Sequence, residues 1–425
     1  MDGNRVYQAL DSLTSKGCDL TSSPIPEGKI WRMKPTNLLL VAWAVLLSSR
    51  LASQTPSAGN HQSTENAAVK YLRADASLRQ SYALPADAVP ILQKSLESPL
   101  DLEDEKLVTA ADEALVEFHH GAASSRCDWV MSSEDGPLAN TAHRGAMKEL
   151  VAVAEIRSRL RFRDGDMPGA MDDAIAAIAA ARHLSVDGSL ASVLFAYKME
   201  NSVTGILSRN LLRLSSAQLR ELATAINALP NGSDLKIALE SEKLNRNDIL
   251  DSVQGAKTRD DLIAGLLRNI PFLKSNRELA TQIVDGCGGS VKGFTDCVDQ
   301  QQAFYVSWAS RFALPPEEFE KAYKVEFDKL SKANPLVWQF TPSLSRFRWT
   351  EAYEQTHRAL LHTAIAVRLD GPKAVSVSPD PYDRNPFTYI ALGEGFRLES
   401  RLIDGGIPIS LSIMPSAEDR KPGPK

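Results

Sequence analysis

No C-x-x-C pair occurs in this chain, which excludes a zinc ribbon and a thioredoxin-type redox motif. Cysteine is scarce altogether: Cys18, Cys127, Cys287 and Cys297 are the four. A nucleophile elbow, a P-loop, a dinucleotide-binding glycine fingerprint and H-E-x-x-H are also missing. Gly393-Glu394-Gly395 is too short to cradle a phosphate, and a turn explains it. These gaps close the familiar routes to nucleotide, zinc-hydrolase and serine-hydrolase chemistry, so no catalytic residue is singled out and no cofactor is expected. Positive charge is not in excess either. The formal net charge is −5, whereas nucleic-acid proteins show a basic face, so nucleic acid is not expected as a partner.

What the chain does have is a segment laid out like an export signal, away from its first residue. Met33-Lys34-Pro35-Thr36-Asn37 opens a segment whose apolar block, Leu38 to Leu47, is followed by Ser48-Ser49-Arg50-Leu51-Ala52-Ser53-Gln54. A positive end, a short apolar middle and a small, polar tail are the three parts of a secretory signal peptide. The block falls well short of the ~20 residues that span a bilayer. A buried core helix is the competing reading of such a run, but the polar linker at 54–65 that follows cannot pack. Residues 33–53 are therefore read as a signal peptide cleaved after Ser53, with Ala58 and an uncleaved anchor as variants. Membrane contact is expected only through this segment, if it is uncleaved. Residues 1–32 lack periodicity and read as a doubtful upstream extension; a short cytoplasmic tail is the alternative. The expected location is the periplasm or the exterior.

Residues 1–53 carry six Lys/Arg and four Asp/Glu, so a chain beginning at Gln54 carries 42 and 49. Cys18 would be lost with the leader. In an oxidising compartment Cys287 and Cys297 are a plausible disulfide, close in sequence and flanked by Gly286, Gly288 and Gly289 where the backbone can bend. Cys127 then reads as a small buried hydrophobe.

From Asn66 to about Asp370 the grammar is helical, and 66–370 is expected as one α-helical domain. Asp104 to His119 places Leu107, Ala111, Leu115 and Phe118 at helical spacing. Ala139 to Arg163 follows, Gly165-Asp166 breaks it, and Pro168 restarts an alanine-dense helix. Asp187-Gly188 turns into a long helix over Ser189 to Leu214. Ser215 with Gln218 and Ser275 with Glu278 have capping-box spacing. Pro315-Pro316-Glu317-Glu318 is a start signal, because proline is tolerated and acids are favoured in a first turn. Trp349 to Leu369 is the last long helix. Gly165-Asp166, Ala170 and Ala177 match part of a tetratricopeptide-like helical hairpin, a glycine break followed by small residues that permit close packing. Arg161 and Ala174 stand where that repeat has aromatics, and an ordinary helix pair explains the segment equally well. The fold class expected is mainly α: an irregular helical array or bundle with this hairpin and a small C-terminal β-hairpin.

After Asp370 the pattern changes. Proline-rich 371–386 cannot be helical. Phe387, Tyr389 and Ala391 alternate with Thr388, Ile390 and Leu392; Gly393-Glu394-Gly395 turns; Phe396, Leu398, Ser400 and Leu402 alternate again. That is a β-hairpin, and because two strands alone are marginal in water it must lie on the helices. Residues 371–414 are read as this turn-and-hairpin segment and 415–425 as a disordered tail.

Arg126-Cys127-Asp128-Trp129, Asp135-Gly136-Pro137 and the helix ending at Gly165-Asp166 resemble a family of exported bacterial proteins without an established activity. The closing Asp380-Pro381-Tyr382-Asp383, Asn385-Pro386-Phe387-Thr388-Tyr389 and Gly395 to Ser400 look like that family's last segment, the resemblance spanning Asn66 to Gly406. The same stretch also resembles the D-P-x-x-x-x-P-x-x-Y hairpin of secretion-system pseudopilins, where a following acidic loop can hold calcium. Here Asp404-Gly405-Gly406 is only a remnant of such a loop, and the N-terminal methylation-type helix is missing.

One spacing points to metal chemistry. Glu117-x-x-His120 and Glu354-x-x-His357 lie in expected helices at the spacing with which di-iron bundles present two ligands on one face, and Glu155 and Glu200 are available as the remaining glutamates. Solvated helix faces explain the two pairs better, so no metal is assigned. His119-His120 with Cys127 is a weaker candidate. Asp128-Trp129 reads as a corner, Trp129 buried and Asp128 capping. Trp338, Phe340, Phe347 and Trp349 read as core packing rather than a groove. The function expected is a helical interaction or scaffold module of the cell envelope with a protein partner. The alternative is an exported metal-dependent enzyme assembled from scattered Glu and His.

Overall fold

The computed structural model describes residues 66–82, 88–129, 142–241, 245–270, 273–341, 343–376 and 378–415. The expectations for 1–32, 33–53 and 54–65, and for the tail beyond 415, lie outside the described residues. The protein is mainly helical with a small antiparallel sheet near its C-terminus, as its periodicity predicts. Among the described residues no helix is long and apolar enough to cross a membrane.

The helices, in order, are α1 Ala67–Ser81, α2 Ala88–Glu97, α3 Leu102–Ala110, α4 Asp112–Ala122, α5 Ala142–Asp164, α6 Met167–Ser185, α7 Leu190–Asn210 and α8 Ser216–Asn227. They continue as α9 Leu235–Ser241, α10 Asn245–Ser252, α11 Arg259–Asn269, α12 Arg277–Gly286, α13 Val291–Ala309, α14 Pro316–Ala333, α15 Pro335–Phe340 and α16 Leu344–Asp370. The strands are β1 Thr388–Leu392, β2 Gly395–Asp404 and β3 Ile407–Ile413. The chain divides into two compact units. The smaller comprises Ile249–Ala303 and Ala322–Leu344; the larger holds the described residues of His61–Asp248, Phe304–Lys321 and Ser345–Lys425.

The larger unit is built on α5, α6 and α7. Gly165, at φ +89°, supplies the left-handed turn that ends α5, and Asp166 caps α6 by accepting from the Gly169 amide. Gly188, at φ +79°, and the Ser189 cap do the same between α6 and α7. Links this short make the neighbours antiparallel. The alanines of α6 explain its place: Ala170, Ala174, Ala176, Ala177 and Ala179 to Ala181 are all buried, so helices pack on most of its faces. The helix expected over Asp104 to His119 is two helices, because Asp101 and Asp104 form a capping box that starts α3, and Ala111 separates α3 from α4. Ser215 and Gln218 form their predicted box, whereas α12 is capped by Asn276 rather than by Ser275. Asp128 caps no helix; its backbone amide and carbonyl pair with Asn66, which caps α1, and Trp129 is buried. Trp338 is 47 % exposed rather than core, and the Trp349 indole donates to Glu320.

The sheet has three strands, not two. Gly393, at φ +59°, leads the two-residue β1–β2 turn, since Leu392 faces Gly395. Gly405 and Gly406, both at positive φ, make the β2–β3 turn, with Asp404 facing Ile407. The pseudopilin-like acidic remnant is therefore a tight hairpin turn. Phe396, Leu398, Leu402, Ile409, Leu411 and Ile413 point one way and join the larger unit's core. Asp380, the first residue of the D-P motif, clasps the sheet: it accepts from the Ser400 hydroxyl at 2.5 Å and the Arg401 amide at 3.1 Å.

In the smaller unit, Leu262, Ile263, Leu266, Ile283, Val284, Phe294, Val298 and Leu336 form a core that contains both Cys287 and Cys297. Asn334, fully buried, caps α15 and donates to the Cys297 carbonyl at 2.8 Å.

Candidate functional site

Of the two E-x-x-H pairs, the one on α4 lies on an open face. Glu117 and His120 approach each other at 3.5 Å, and the His120 side chain is 58 % exposed. Of the pair on α16, Glu354 is buried and His357 half-buried. His357 stacks on Tyr353, ring centroids 4.3 Å apart, and burial pushes it down to about 4. Glu354 is 1 % exposed and lies beside Glu200 of α7.

The four-helix convergence a di-iron site requires is not made. Glu155 instead accepts from Ser202 at 2.5 Å, and the charges acting on it are Arg159, Arg209 and Lys198. Among the described residues no group of three or more His, Cys, Asp or Glu is placed to hold a metal ion. His119 is likewise engaged, bonded to Asp173 at 2.8 Å.

Glu200 and Glu354 do share a cavity of about 100 Å³ in the larger unit, and α6, α7, the residues before α9, and α16 supply its walls. Arg358, one turn after Glu354, ties the two carboxylates together. Its Nε donates to Glu354 Oε1 at 3.1 Å and its Nη2 to Glu200 Oε1 at 2.7 Å. Arg182 of α6 donates to the other Glu200 oxygen at 3.3 Å. Glu354 is left with Oε2 buried and without a hydrogen-bond partner, and Ser233 Oγ is in the same condition. Burial first, and the neighbouring Glu200 second, drive Glu354 above the usual carboxylate range, against Arg358 and Arg182.

The other titratable groups around it follow the same logic. Tyr197, whose hydroxyl faces Glu351 at 3.4 Å, is raised by burial; Glu351 is raised by burial despite Arg348; His362 is lowered by burial and by Arg182 and Arg358. Asp234 lies at the exposed rim, where it accepts from the Ile237 amide at the start of α9. The cavity therefore combines a protonatable carboxyl, an aromatic ring, a hydroxyl and an acidic rim.

Sequence reasoning singled out Glu354 and Glu200 for a metal but could not see Arg182, Tyr197, Ser233, Asp234 or Arg358, which come from segments up to 176 residues apart. Two further buried networks also escaped it. Asp173, fully buried on α6, is held by Arg157 through three contacts of 2.6 to 3.1 Å, by Arg161 at 2.9 Å and by His119. Arg161, at the position where the tetratricopeptide-like pattern expects an aromatic, is paired with Asp173. Trp129, Tyr71 and His183 form the second network: the indole donates to the His183 carbonyl at 2.7 Å and the Tyr71 hydroxyl meets His183 Nδ1 at 2.9 Å. Cys287 and Cys297 lie buried against each other as free thiols within hydrogen-bond reach. No protein-family model, no curated protein and no solved structure matches this chain at a significant level.

Proposed function

We propose that the protein is an exported helical interaction module that acts as a scaffold in the cell envelope. The observation that carries this reading is the run α5–α6–α7, consecutive antiparallel helices joined by links of two and four residues. Stacked hairpins of this kind form extended binding surfaces in helical-repeat proteins. The tetratricopeptide-like features at Gly165, Asp166, Ala170 and Ala177 support it, and the signal-like segment Met33 to Ser53 supports its location. An envelope extract passed over the immobilised mature chain should return the same protein partner in independent preparations, and α5–α7 should be protected from hydrogen exchange in that complex. A reproducible absence of any partner sinks the scaffold reading.

A second reading, an exported metal-dependent enzyme, draws on Glu354 and Glu200, which share one cavity. Against it, three of their four oxygens accept from Arg182 or Arg358, donors that a divalent cation would have to displace. Metal analysis of protein purified without chelator separates the two: stoichiometric iron, zinc or calcium favours the enzyme.

A further inference from the structure

We infer that the cavity between Glu200, Ser233, Asp234 and Glu354 is a binding site for a primary ammonium group on a short alkyl chain. This site stands apart from the scaffold reading, and neither depends on the other.

The unanswered oxygens of the walls select the ligand. Three carboxyl groups, Glu200, Asp234 and Glu354, line the cavity beside one guanidinium, Arg358. Arg182 answers Glu200 from behind, which leaves Glu354 and Asp234 as the acids with spare acceptor capacity. A buried oxygen with no partner is uncommon because its desolvation is uncompensated, and two stand here, Glu354 Oε2 and Ser233 Oγ. An ammonium carries three donors and no acceptor, so one such group can answer Glu354, Ser233 and the rim carboxylate of Asp234 together. An anion would meet the acids at the rim. A guanidinium would duplicate the planar fork that Arg358 already places between the two glutamates. The Tyr197 ring in the wall already carries a cation, the Arg358 guanidinium 5.8 Å from its centroid, so the ligand is held by the oxygens and not by the ring. A volume of about 100 Å³ admits several waters or the head of a small molecule, not a whole metabolite.

Binding has a proton balance. Burial and the neighbouring Glu200 push the unliganded Glu354 carboxyl up to about 8, which favours its protonated form at neutral pH. An arriving R–NH3+ pairs with the carboxylate form, so the Glu354 proton passes to buffer: one ammonium bound, up to one proton released. Glu200 keeps its ion pairs with Arg182 and Arg358 throughout.

The test is calorimetric titration of the mature chain with n-butylammonium, n-butanol and n-butyrate at neutral pH, each in two buffers of different ionisation enthalpy. Butylammonium should bind with a dissociation constant of order millimolar and release protons, while butanol and butyrate bind at least about ten-fold more weakly. Glu354→Gln should abolish the proton release and weaken butylammonium about ten-fold. Asp234→Asn keeps the acceptor that caps α9 and should weaken it similarly, so the test survives if the first variant folds poorly. Equal binding of butanol and butylammonium, preference for butyrate, no binding of butylammonium at all, or unchanged affinity in Asp234→Asn would each overturn the assignment.

Discussion

A carboxylate with almost no water around it must either find a cation or keep its proton, and Glu155 keeps its proton. It is buried on α5, bonded to Ser202, and burial pushes it up to about 8 from an ordinary value of 4.5. A carboxyl that holds its proton more firmly when folded stabilises the fold below its ordinary pKa and loses that stabilisation as pH climbs through its folded pKa. Stability should therefore decline between pH 4.5 and about 8, with Glu155 contributing at most about 1.4 kcal/mol per pH unit. Glu155→Gln removes the titration. Urea denaturation across that window should show a flatter profile for the variant and higher stability than the parent at pH 8; parallel profiles would exclude the burial argument. Asp173 shows the other solution, a buried charge enclosed by cations. Asp173→Asn leaves Arg157 and Arg161 short of a counter-charge, and the midpoint of urea unfolding should fall by the equivalent of about 3–5 kcal/mol, the usual loss when one partner of a buried pair is removed. Sequence reading noticed Arg161 as a departure from an aromatic repeat position. It could not notice Asp173, because an acid inside an alanine-dense helix looks like its solvent face until the helices on both sides are in place.

At the scale of elements, legibility followed local chemistry. The Gly165-Asp166 break, the Ser215–Gln218 box and the Pro316 start were readable because each is decided within four residues. The α3–α4 division was hidden, since the apolar spacing of Leu107, Ala111, Leu115 and Phe118 runs unbroken through it and only the Ala111 backbone departs from the helix. Strand β3 was missed for a different reason. Pro408 lies near its start and removes an amide, but β3 is an edge strand, where one missing donor is tolerated. The Asp380 clasp was half legible: its motif was recognisable, while its partners on β2 lie 20 and 21 residues away. Asp380→Asn turns one acceptor into a donor facing the Ser400 hydroxyl and the Arg401 amide. The hairpin should then loosen by about 1.5–3 kcal/mol, the range for hydrogen bonds to a charged group. Hydrogen exchange read at β1–β3 should rise while α5–α7 stay protected; unchanged exchange in the strands would show that the clasp is ornamental to the sheet.

For the whole chain, location and covalent state form one question, and the state of Cys287 and Cys297 in the exported protein tests it. Cys287 is the C-cap of α12 and Cys297 sits in α13, both buried in the smaller unit, with the thiols in contact. Gly293 permits the approach, because a Cβ there would stand 2.0 Å from the Cys287 carbonyl oxygen. Burial, followed by the partner sulfur, raises the Cys287 thiol well above its ordinary value, which makes it a poor nucleophile once folded. Any disulfide must form while the segment is still open, by exchange with a protein disulfide of the compartment: the donor takes up two electrons and two protons, and the two cysteines join. That donor exists in a periplasm and not in a reducing cytosol. Protein made with its leader and recovered from the envelope should begin at Gln54 and carry a peptide joining Cys287 to Cys297, lighter by two hydrogens, with Cys127 free. The same chain made without residues 33–53 in the cytosol should alkylate at all three cysteines after denaturation and unfold about 2–3 kcal/mol more easily, the entropy of so short a loop. Free thiols at both positions in the exported chain would separate the address from the chemistry, and the oxidising-compartment reading of the cysteines would fall even with the leader cleaved.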